Sequence, residues 1–504
     1  MTRKLNISHF LIILLFLCGG TLLARLETMK PLPNTALAEE NGTNIIYLPL
    51  ARKAPLKTVF GAEMTPITDA QGLEMMSNAG ASWVRRNGVL WSAVEPLQGG
   101  GYDWSVLASL EEDLLRARGN DMEVILIVRG VPEWARVPDY YYACGPISTD
   151  ALPAFGSFMH ALVQRYGGSP YYVKYFEIWN EPDVDPLYVG NGASQWGCMG
   201  DIRDTVYYGG QVFATVLQAA YPMVKAANPE AQVVVGGLLL FCNPNDPPVI
   251  DPDNECTPAK YLEGILAAGG GNYFDGVSFH SYDYFSTGGT TYPNGIYGNP
   301  FWNTGGAGNT LYGDLKPGLV AKAQYLRNLL TTYGAADKFL LNTETALLCG
   351  ASGAPPGGPG CEPASPFETL KAAYLVQSYA AAIAEGLLAN IWYTPLGWRN
   401  SGLLNADLTP RPAYHAYVLA RDTLKDAAFV REVNEYSGSQ IFGYEFHVNA
   451  RNLWVLWALD GKAHTITLPA LPTAAWDELG NPVDFGSGIL TIGDLKTVYV
   501  DWGP

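Results

Sequence analysis

The segment Phe176-Glu-Ile-Trp-Asn-Glu-Pro182 is a short, mostly apolar run that ends in the polar pair Asn180 and Glu181. Short runs of this kind, bounded by turn-forming residues, are typical of buried β-strands. A second such run, Phe339-Leu-Leu-Asn-Thr-Glu344, also ends in a carboxylate. In a barrel of parallel strands the carboxyl ends share one rim, so the two glutamates are predicted to meet there.

Outward from these two runs, residues 57–426 alternate short β-branched runs with longer amphipathic stretches. This alternation predicts an α/β fold, a (β/α)8 TIM barrel. A doubly wound sheet is the alternative, but the Gly-rich turn expected after its first strand does not follow Met64. The eight predicted strands are residues 58–64, 81–87, 122–129, 172–180, 231–240, 273–282, 337–344 and 388–394.

Residues 427–504 follow a different pattern of short alternating strands and predict a small C-terminal all-β sandwich. No Ser/Pro-rich linker precedes this region, so we expect it to pack against the barrel. Its predicted strands are residues 440–448, 452–458, 464–468, 488–492 and 498–502.

The N-terminal residues 1–25 combine a basic start with an apolar run from Phe10 to Ala24, and residues 26–56 have the composition of a linker. A basic start followed by an apolar run is typical of an export signal. The segment therefore predicts a secreted or cell-surface protein, with a signal peptide or an N-terminal anchor as the two alternatives. An anchor of this kind is the one membrane contact that the sequence predicts.

The composition is that of a well-packed globular protein, since 48% of the 504 residues are hydrophobic and 16% are charged. The formal net charge is −17. A nucleic-acid partner is excluded by this balance, because no basic stripe is present to neutralise phosphates. The net negative charge favours neutral substrates over polyanionic ones.

An even number of cysteines outside the N-terminal segment suggests disulfides in an exported chain, although six cysteines allow 15 pairings. Cys242 and Cys256 are close neighbours in a Pro/Gly/Asn-rich loop, and so are Cys349 and Cys361, so a bond is predicted within each pair. This leaves Cys144 to pair with Cys198. A zinc site is the alternative, but no CxxC spacing occurs and no metal is predicted. The predicted bonds are Cys242–Cys256, Cys349–Cys361 and Cys144–Cys198.

The string Trp179-Asn-Glu-Pro182 at the end of the fourth predicted strand resembles the acid/base motif of glycoside hydrolase clan A, with most similarity to families 39 and 5. In that clan the fourth strand ends in an Asn-Glu pair and the seventh in a Glu. The resemblance implies that Glu181 is the acid/base and Glu344 the nucleophile. It also implies that Asn180 binds the 2-hydroxyl of the sugar.

The string Phe274-Asp-Gly-Val-Ser-Phe-His-Ser-Tyr282 resembles the sixth strand of the clan. The resemblance implies that Tyr282 donates a hydrogen bond to Glu344 and that His280 lines the pocket. The second strand of the clan carries an arginine that keeps the nucleophile ionised. Here two candidates stand side by side, because counting from the strand start favours Arg85 and counting back from Trp91 favours Arg86.

Two aromatic residues complete the set that the resemblance implies. Trp134 follows the third strand, where an aromatic ring faces a sugar. Trp392 ends the eighth strand and is the expected floor on which the sugar stacks.

The implied activity is retaining hydrolysis of β-glycosidic bonds in plant-type or microbial oligo- or polysaccharides, with two Glu and without a cofactor. Two alternatives stay open: a catalytically silent carbohydrate-binding barrel and a transglycosylase. Sugar specificity, exo or endo action and the oligomeric state are not determined by the sequence.

Overall fold

The computed structural model describes residues 58–138, 143–188, 197–244, 256–288, 292–299, 302, 315–350, 361 and 365–504. The predicted segment 1–25 and the predicted linker 26–56 lie outside the described residues. None of the helices in the described ranges has the length and apolar character of a membrane span.

A closed barrel of parallel strands is the larger part of the fold. Its strands, with one antiparallel addition (β7), are β1 (Phe60–Glu63), β2 (Trp83–Leu90), β3 (Glu123–Arg129), β4 (Tyr175–Ile178), β5 (Gln232–Leu238), β6 (Gly276–Gly288), β7 (Tyr292–Gly298), β8 (Phe339–Cys349) and β9 (Asn390–Trp392). The ring order is β1–β2–β3–β4–β5–β6–β8–β9, and β9 pairs with β1 to close it. The predicted (β/α)8 barrel is therefore confirmed.

Helices follow the strands along the chain. They are α1 (Leu73–Asn78), α2 (Trp91–Val94), α3 (Ala108–Gly119), α4 (Leu152–Tyr166), α5 (Gly210–Ala227), α6 (Tyr261–Ala267), α7 (Leu319–Thr332), α8 (Pro366–Ala384) and α9 (Pro412–Leu424). Pro lies in the first turn of α4, α8 and α9, where its fixed φ suits the helix and no backbone donor is lost.

The barrel lumen changes from apolar to polar along the strands. Side chains alternate between the lumen and the surrounding helices, so every second residue of a strand points inward. One pleat period beyond Trp83 and Tyr175, the same strands carry Arg85 and Glu177, both fully buried. The polar layer thus rests on an apolar floor, which consists of Trp83, Ile125, Tyr175, Val234, Leu341, Ala389 and Ile391.

Strand β6 continues well past the predicted end of the sixth strand at Tyr282. It reaches Gly288, stays paired with β8 as far as Phe285, and forms an antiparallel hairpin with β7. The stretch after Tyr282 is therefore partly sheet. Its extension along β8 was not predicted, because β8 is a distant part of the chain.

The C-terminal region forms two antiparallel sheets. Its strands are β10 (Ala428–Val433), β11 (Ile441–Val448), β12 (Arg451–Ala458), β13 (His464–Thr467), β14 (Ala474–Asp477), β15 (Ile489–Ile492) and β16 (Thr497–Asp501). A five-stranded sheet in the order β10–β11–β12–β16–β14 packs over the pair β13–β15. The predicted sandwich is confirmed, with two additional strands. β10 escaped detection because its first three residues are exposed.

The sandwich packs directly on the barrel, as expected. The indole N–H of Trp457 in β12 donates to the carbonyl of Leu315 at 2.7 Å. The amide of Gln377 in α8 donates to the hydroxyl of Thr497 in β16 at 2.8 Å. Both bonds are buried, so the contact is a specific interface.

Three disulfides join the predicted pairs Cys144–Cys198, Cys242–Cys256 and Cys349–Cys361. Their Cα atoms lie 5.5, 5.7 and 5.9 Å apart, within the range that a disulfide spans. All three fix segments that follow the carboxyl ends of barrel strands. They are typical of proteins in oxidising compartments.

Replacement of Trp457 by Phe tests the interface. The change removes one buried hydrogen bond, and we expect a loss of about 1–2 kcal/mol in the free energy of unfolding. Trp476→Phe is the matched control, because the Trp476 indole nitrogen is buried without a hydrogen-bond partner. Denaturant unfolding of both variants measures the difference. Equal losses would show that the Trp457 bond contributes nothing.

Candidate active site

Two glutamates lie at the barrel mouth, where the strands end. Glu181 directly follows the turn after β4, and Glu344 lies within β8, which continues past its predicted end at residue 344 to Cys349. Their exposed fractions are 5% and 7%, so both are largely enclosed yet reachable by a ligand. The Glu181 backbone adopts a left-handed φ of 50°, and its N–H donates to the carbonyl of Gly237 in β5 at 3.0 Å. This bond fixes the turn against the neighbouring strand.

Arg85 on β2 connects the polar layer of the lumen. Nη1 donates to Glu63 at 2.8 Å and to Glu344 at 2.5 Å, and Nε donates to Glu177 at 2.7 Å. Nη2 donates to the side-chain oxygen of Asn180 at 2.6 Å. The guanidinium is fully buried, and the low local dielectric strengthens each contact.

The choice between Arg85 and Arg86 follows from the pleat of β2. Arg85 points into the lumen, whereas Arg86 points outward and donates through Nε to Asp113 on α3 at 2.8 Å. Arg86 therefore belongs to the helix layer, and its predicted place in the site is wrong. Adjacent residues of a strand face opposite sides of the sheet, so only one of the two can reach Glu344.

Glu63 and Glu177 complete the carboxylates around Arg85, although the sequence assigned them no role. Burial raises the pKa of Glu63 to about 8, and the charge of Arg85 limits the rise. Glu63 therefore keeps its proton at neutral pH. This proton reduces the negative charge that Arg85 has to balance.

Tyr282 and His280 on β6 each contact a glutamate. The Tyr282 hydroxyl donates a short hydrogen bond to Glu344. His280 Nδ1 lies 2.8 Å from Glu181 Oε1 and 3.4 Å from Glu344 Oε2, so one nitrogen bridges the two carboxyls. His280 is fully buried and lies behind Glu181. His280 was expected to line the open pocket, but it instead contacts Glu181 from a fully buried position.

The His280 ring is neutral. Burial lowers its pKa well below the usual value, and the charges of Arg85 and Lys322 lower it further. Nε2 is buried without a hydrogen-bond partner. A Cβ at Gly237 would lie 2.1 Å from this nitrogen, so only glycine leaves room for the ring.

Lys322 on α7 is a buried cation whose charge acts on Glu181, and the sequence analysis did not identify it. Its ammonium donates to the carbonyls of Leu239 at 2.8 Å and of His280 at 2.7 Å. Asp183, two residues after Glu181, accepts the N–H groups of Leu239 at 2.9 Å and Leu240 at 2.8 Å. Burial lowers the pKa of Lys322 to about 8. A lysine in an amphipathic helix normally faces solvent, so no local signal marked this residue.

The two glutamates have different environments. Burial and the negative charges of Glu344 and Asp183 raise the pKa of Glu181 well above its usual value, while Arg85 and Lys322 oppose the rise. Burial also raises the pKa of Glu344, but Arg85 and the Tyr282 hydroxyl hold it down. Of the two, Glu181 therefore holds its proton more strongly, and Glu344 ionises more readily. Such a pair supplies an acid and an anion side by side.

Trp392 is a packing residue and not the accessible floor that the sequence predicts. Its side chain is fully buried, and its indole N–H donates to the carbonyl of Ser401 at 3.0 Å. A ring without an accessible face cannot stack on a sugar. The aromatic residues beside the glutamates are instead Tyr393 and Trp398, whose rings lie 5.9 and 6.5 Å from that of Tyr282. Trp398 is 50% exposed.

Trp134 is partly buried in the loop after β3. Its indole N–H donates to the carbonyl of Glu95 at 3.1 Å, and its ring packs edge-on against Trp91 at 5.4 Å. These contacts hold the ring against α2. Its predicted contact with a sugar stays a prediction.

Glu181, His280 and Glu344 also offer ligand atoms that all lie within 4.8 Å of one another. The surrounding charges do not favour a divalent cation there. Glu344 is already bound by the Arg85 guanidinium, and Glu181 retains its proton. The three residues fit proton transfer better than metal ligation.

Comparison with known proteins adds evidence on the fold. No family model matches the chain, and no curated protein matches it in sequence. A family 39 glycoside hydrolase from Bacteroides cellulosilyticus WH2 matches in structure with 17% identity and a TM-score of 0.61, over 89% of this chain and 81% of that chain. A family 30 subfamily 8 xylanase from Clostridium acetobutylicum matches with 12% identity and a TM-score of 0.55, over 90% and 97%.

A conserved exported protein from Bacteroides fragilis is a third match, with 12% identity and a TM-score of 0.55, over 88% of this chain and 98% of that chain. At these identities the likeness concerns architecture. The chain therefore shares the fold of these solved glycoside hydrolases.

Arg85→Met tests the dependence of the fold on this arginine. The substitution leaves buried carboxylates without their cation, and we expect the free energy of unfolding to fall by about 3–5 kcal/mol at pH 7.5. Arg85 limits the raised pKa values of Glu63 and Glu344, so in its absence these values rise further above the unfolded ones. The folded protein then binds more protons than the unfolded one, and the loss shrinks as the pH falls. Denaturant unfolding at pH 5 and pH 7.5 measures both effects.

Arg86→Met is the matched control. Asp113 keeps a second partner, since Arg116 Nη1 donates to it at 3.0 Å. We therefore expect a smaller loss for Arg86→Met. Equal losses in the two variants, or a loss in Arg85→Met that is independent of pH, would contradict the assignment of Arg85.

Proposed function

We propose that this protein is a retaining glycoside hydrolase that cleaves β-glycosidic bonds, with Glu344 as nucleophile and Glu181 as acid/base. The observation that carries the proposal is the contact of His280 Nδ1 with both carboxyls, at 2.8 and 3.4 Å. The fold likeness to glycoside hydrolases supports the same reaction class.

The separation of the carboxyls favours retention over inversion. One carboxyl oxygen of Glu181 and one of Glu344 lie no more than 4.8 Å apart, which is in keeping with closely spaced carboxyl groups. Retaining enzymes hold their carboxyl groups about 5–5.5 Å apart, whereas inverting enzymes need about 6.5–9.5 Å to admit a water molecule. The shorter gap suits direct attack by one carboxylate.

In the first step, Glu344 attacks the anomeric carbon while Glu181 gives its proton to the departing glycosidic oxygen. The C–O bond to the leaving sugar breaks, and an ester bond to Glu344 forms. Arg85 and Tyr282 keep Glu344 ionised before the attack, because both donate hydrogen bonds to its carboxylate. Asn180, held by Arg85 at 2.6 Å, is positioned to bind the sugar 2-hydroxyl.

In the second step, Glu181 acts as a base toward water. The ester has removed the negative charge of Glu344, which was one cause of the raised pKa of Glu181. Glu181 can then stay ionised and take a proton from water while the water oxygen attacks the anomeric carbon. The ester bond to Glu344 breaks in this step, which releases the sugar and restores the Glu344 carboxylate. Neutral His280 donates from Nδ1 to the ionised form, so the same contact serves both protonation states.

The substrate is a carbohydrate, and the chemistry needs no cofactor. Tyr393 and Trp398, beside Tyr282, replace Trp392 as the aromatic surface for the sugar. We further propose that the protein works outside the cytoplasm, because three disulfides enclose the barrel mouth.

Replacement of each glutamate by Ala tests the two roles. We expect Glu344→Ala and Glu181→Ala each to reduce turnover of aryl β-glycosides by at least about 10²–10⁴-fold. Azide should then give an inverted glycosyl azide with Glu344→Ala and a retained one with Glu181→Ala. Proton NMR reads the configuration of the product.

Glu133→Gln is the matched control, since Glu133 is exposed in the loop after β3. We expect it to keep wild-type turnover. Unreduced activity in either glutamate variant would refute the corresponding role. Glycan binding without hydrolysis by the wild type would favour a silent binding protein, and transfer to added sugar acceptors would favour a transglycosylase.

Tyr282→Phe tests the control of the nucleophile. The Tyr282 hydroxyl lowers the pKa of Glu344, so its removal should raise that pKa. Because the acidic limb of kcat/KM reports ionisation of the nucleophile, we expect this limb to move to higher pH. The pH profile of an aryl glycoside measures the shift. An acidic limb that stays in place would contradict the proposed contact.

A further inference from the structure

Arg129 is a second arginine in the lumen, at the rim of the barrel. It is the last residue of β3, four residues beyond Ile125, which belongs to the apolar floor. The alternation of side chains therefore points Arg129 inward, two layers above the floor. Its Nε donates to the side-chain oxygen of Asn87 on β2 at 2.9 Å. Both side chains are partly exposed, so they face the opening.

Arg129 differs from Arg85 in its charge balance. Arg85 contacts three carboxylates at 2.5–2.8 Å, whereas no described residue offers a carboxylate to Arg129. Burial and the nearby charge of Arg85 lower the pKa of Arg129. A partly buried cation without a counter-charge costs free energy. A ligand that brings an anion to Arg129 would remove this cost.

The hydrogen bonds of Arg129 leave one edge of the guanidinium open. Asn87 occupies Nε, and within the described ranges neither Nη1 nor Nη2 has a protein acceptor. These two nitrogens form a planar fork that binds a carboxylate through two parallel hydrogen bonds. The Asn87 contact holds the fork in place before a ligand arrives.

We propose that Arg129 and Asn87 form a subsite for the carboxylate of a uronic acid residue, so that the substrate is an acidic glycan. This inference rests on the proposed glycosidase function and specifies its substrate class. Because such a fork also binds tetrahedral oxyanions, the test includes a sulfate ester beside the uronides.

The net charge of −17 does not oppose this subsite. Exposed charges act over about 8–10 Å at physiological ionic strength, because salt screens them beyond that distance. Close to the rim, the unbalanced guanidinium determines the local potential. The net negative charge favours neutral substrates at the surface as a whole. At the proposed subsite, the positive charge of Arg129 favours an anionic group instead.

Paired aryl glycosides test the proposal. The probes are 4-nitrophenyl β-D-glucuronide with its β-D-glucoside, and the β-D-galacturonide with its β-D-galactoside. We expect the wild type to prefer the uronide in at least one pair. In Arg129→Gln the uronide-to-neutral ratio of kcat/KM should fall at least about 10-fold, since the ion pair is lost and a hydrogen-bonding side chain remains.

Arg118→Gln is the matched control. Arg118 is exposed on α3 and, among the described residues, also lacks a carboxylate partner, with its guanidinium 4.9 Å from the ring of Tyr172. We expect its substrate ratio to equal that of the wild type. A ratio that is unchanged in Arg129→Gln, or reduced equally in Arg118→Gln, would overturn the proposal. A 6-sulfated galactoside preferred over the galacturonide would overturn the carboxylate assignment.

Binding separates this inference from the proposed function. Calorimetry of Glu344→Gln with oligouronides and neutral oligosaccharides measures affinity without turnover. Uronide binding that depends on Arg129, in a wild type without hydrolytic activity, would refute the glycosidase and keep the subsite. Hydrolysis of neutral glycosides alone, with no uronide binding, would refute the subsite and keep the glycosidase.

Discussion

The structure depends on one buried cation, the Arg85 guanidinium. It contacts carboxyls from three strands, Glu63 on β1, Glu177 on β4 and Glu344 on β8, at 2.5–2.8 Å. None of these groups is stable alone in the lumen, because an isolated buried charge costs several kcal/mol. The barrel therefore has to close with these strands in register around Arg85. The same closure brings Glu344 to its position opposite Glu181.

The same arrangement makes the two glutamates unequal. Arg85 and Tyr282 stabilise the anion of Glu344, whereas Glu181 lies beside that anion and Asp183 without a direct cationic hydrogen bond among the described contacts. Two identical side chains thus differ in how readily they ionise because their surroundings differ. Neutral His280 contacts both and carries no charge that would disturb the difference. The proton of Glu63 acts in the same direction, because it limits the negative charge around Arg85.

Disulfides and polar contacts fix the segments at the rim of the barrel. Each of the three bonds fixes a segment beyond a strand end, and Lys322 and Asp183 join the turn after β4 to the end of β5. The acid is therefore positioned by backbone contacts as well as by its own side chain. Arg129 stands in this fixed rim with an open guanidinium edge, which distinguishes it from the fully engaged Arg85.

The sequence by itself determined the alternation of strands and helices, the change to a β-sandwich and the two strands that lead to Glu181 and carry Glu344. These features follow from local periodicity, which one segment expresses without reference to the others. Only the tertiary structure decided which of Arg85 and Arg86 faces the lumen. It also decided that Trp392 is buried, that Glu63 and Lys322 belong to the site, and that β6 continues into a hairpin. Apart from the hairpin, which pairs neighbouring segments, each of these depends on which distant segment lies opposite a given side chain. Local patterns place a residue on a strand, but burial and charge balance are properties of the closed barrel.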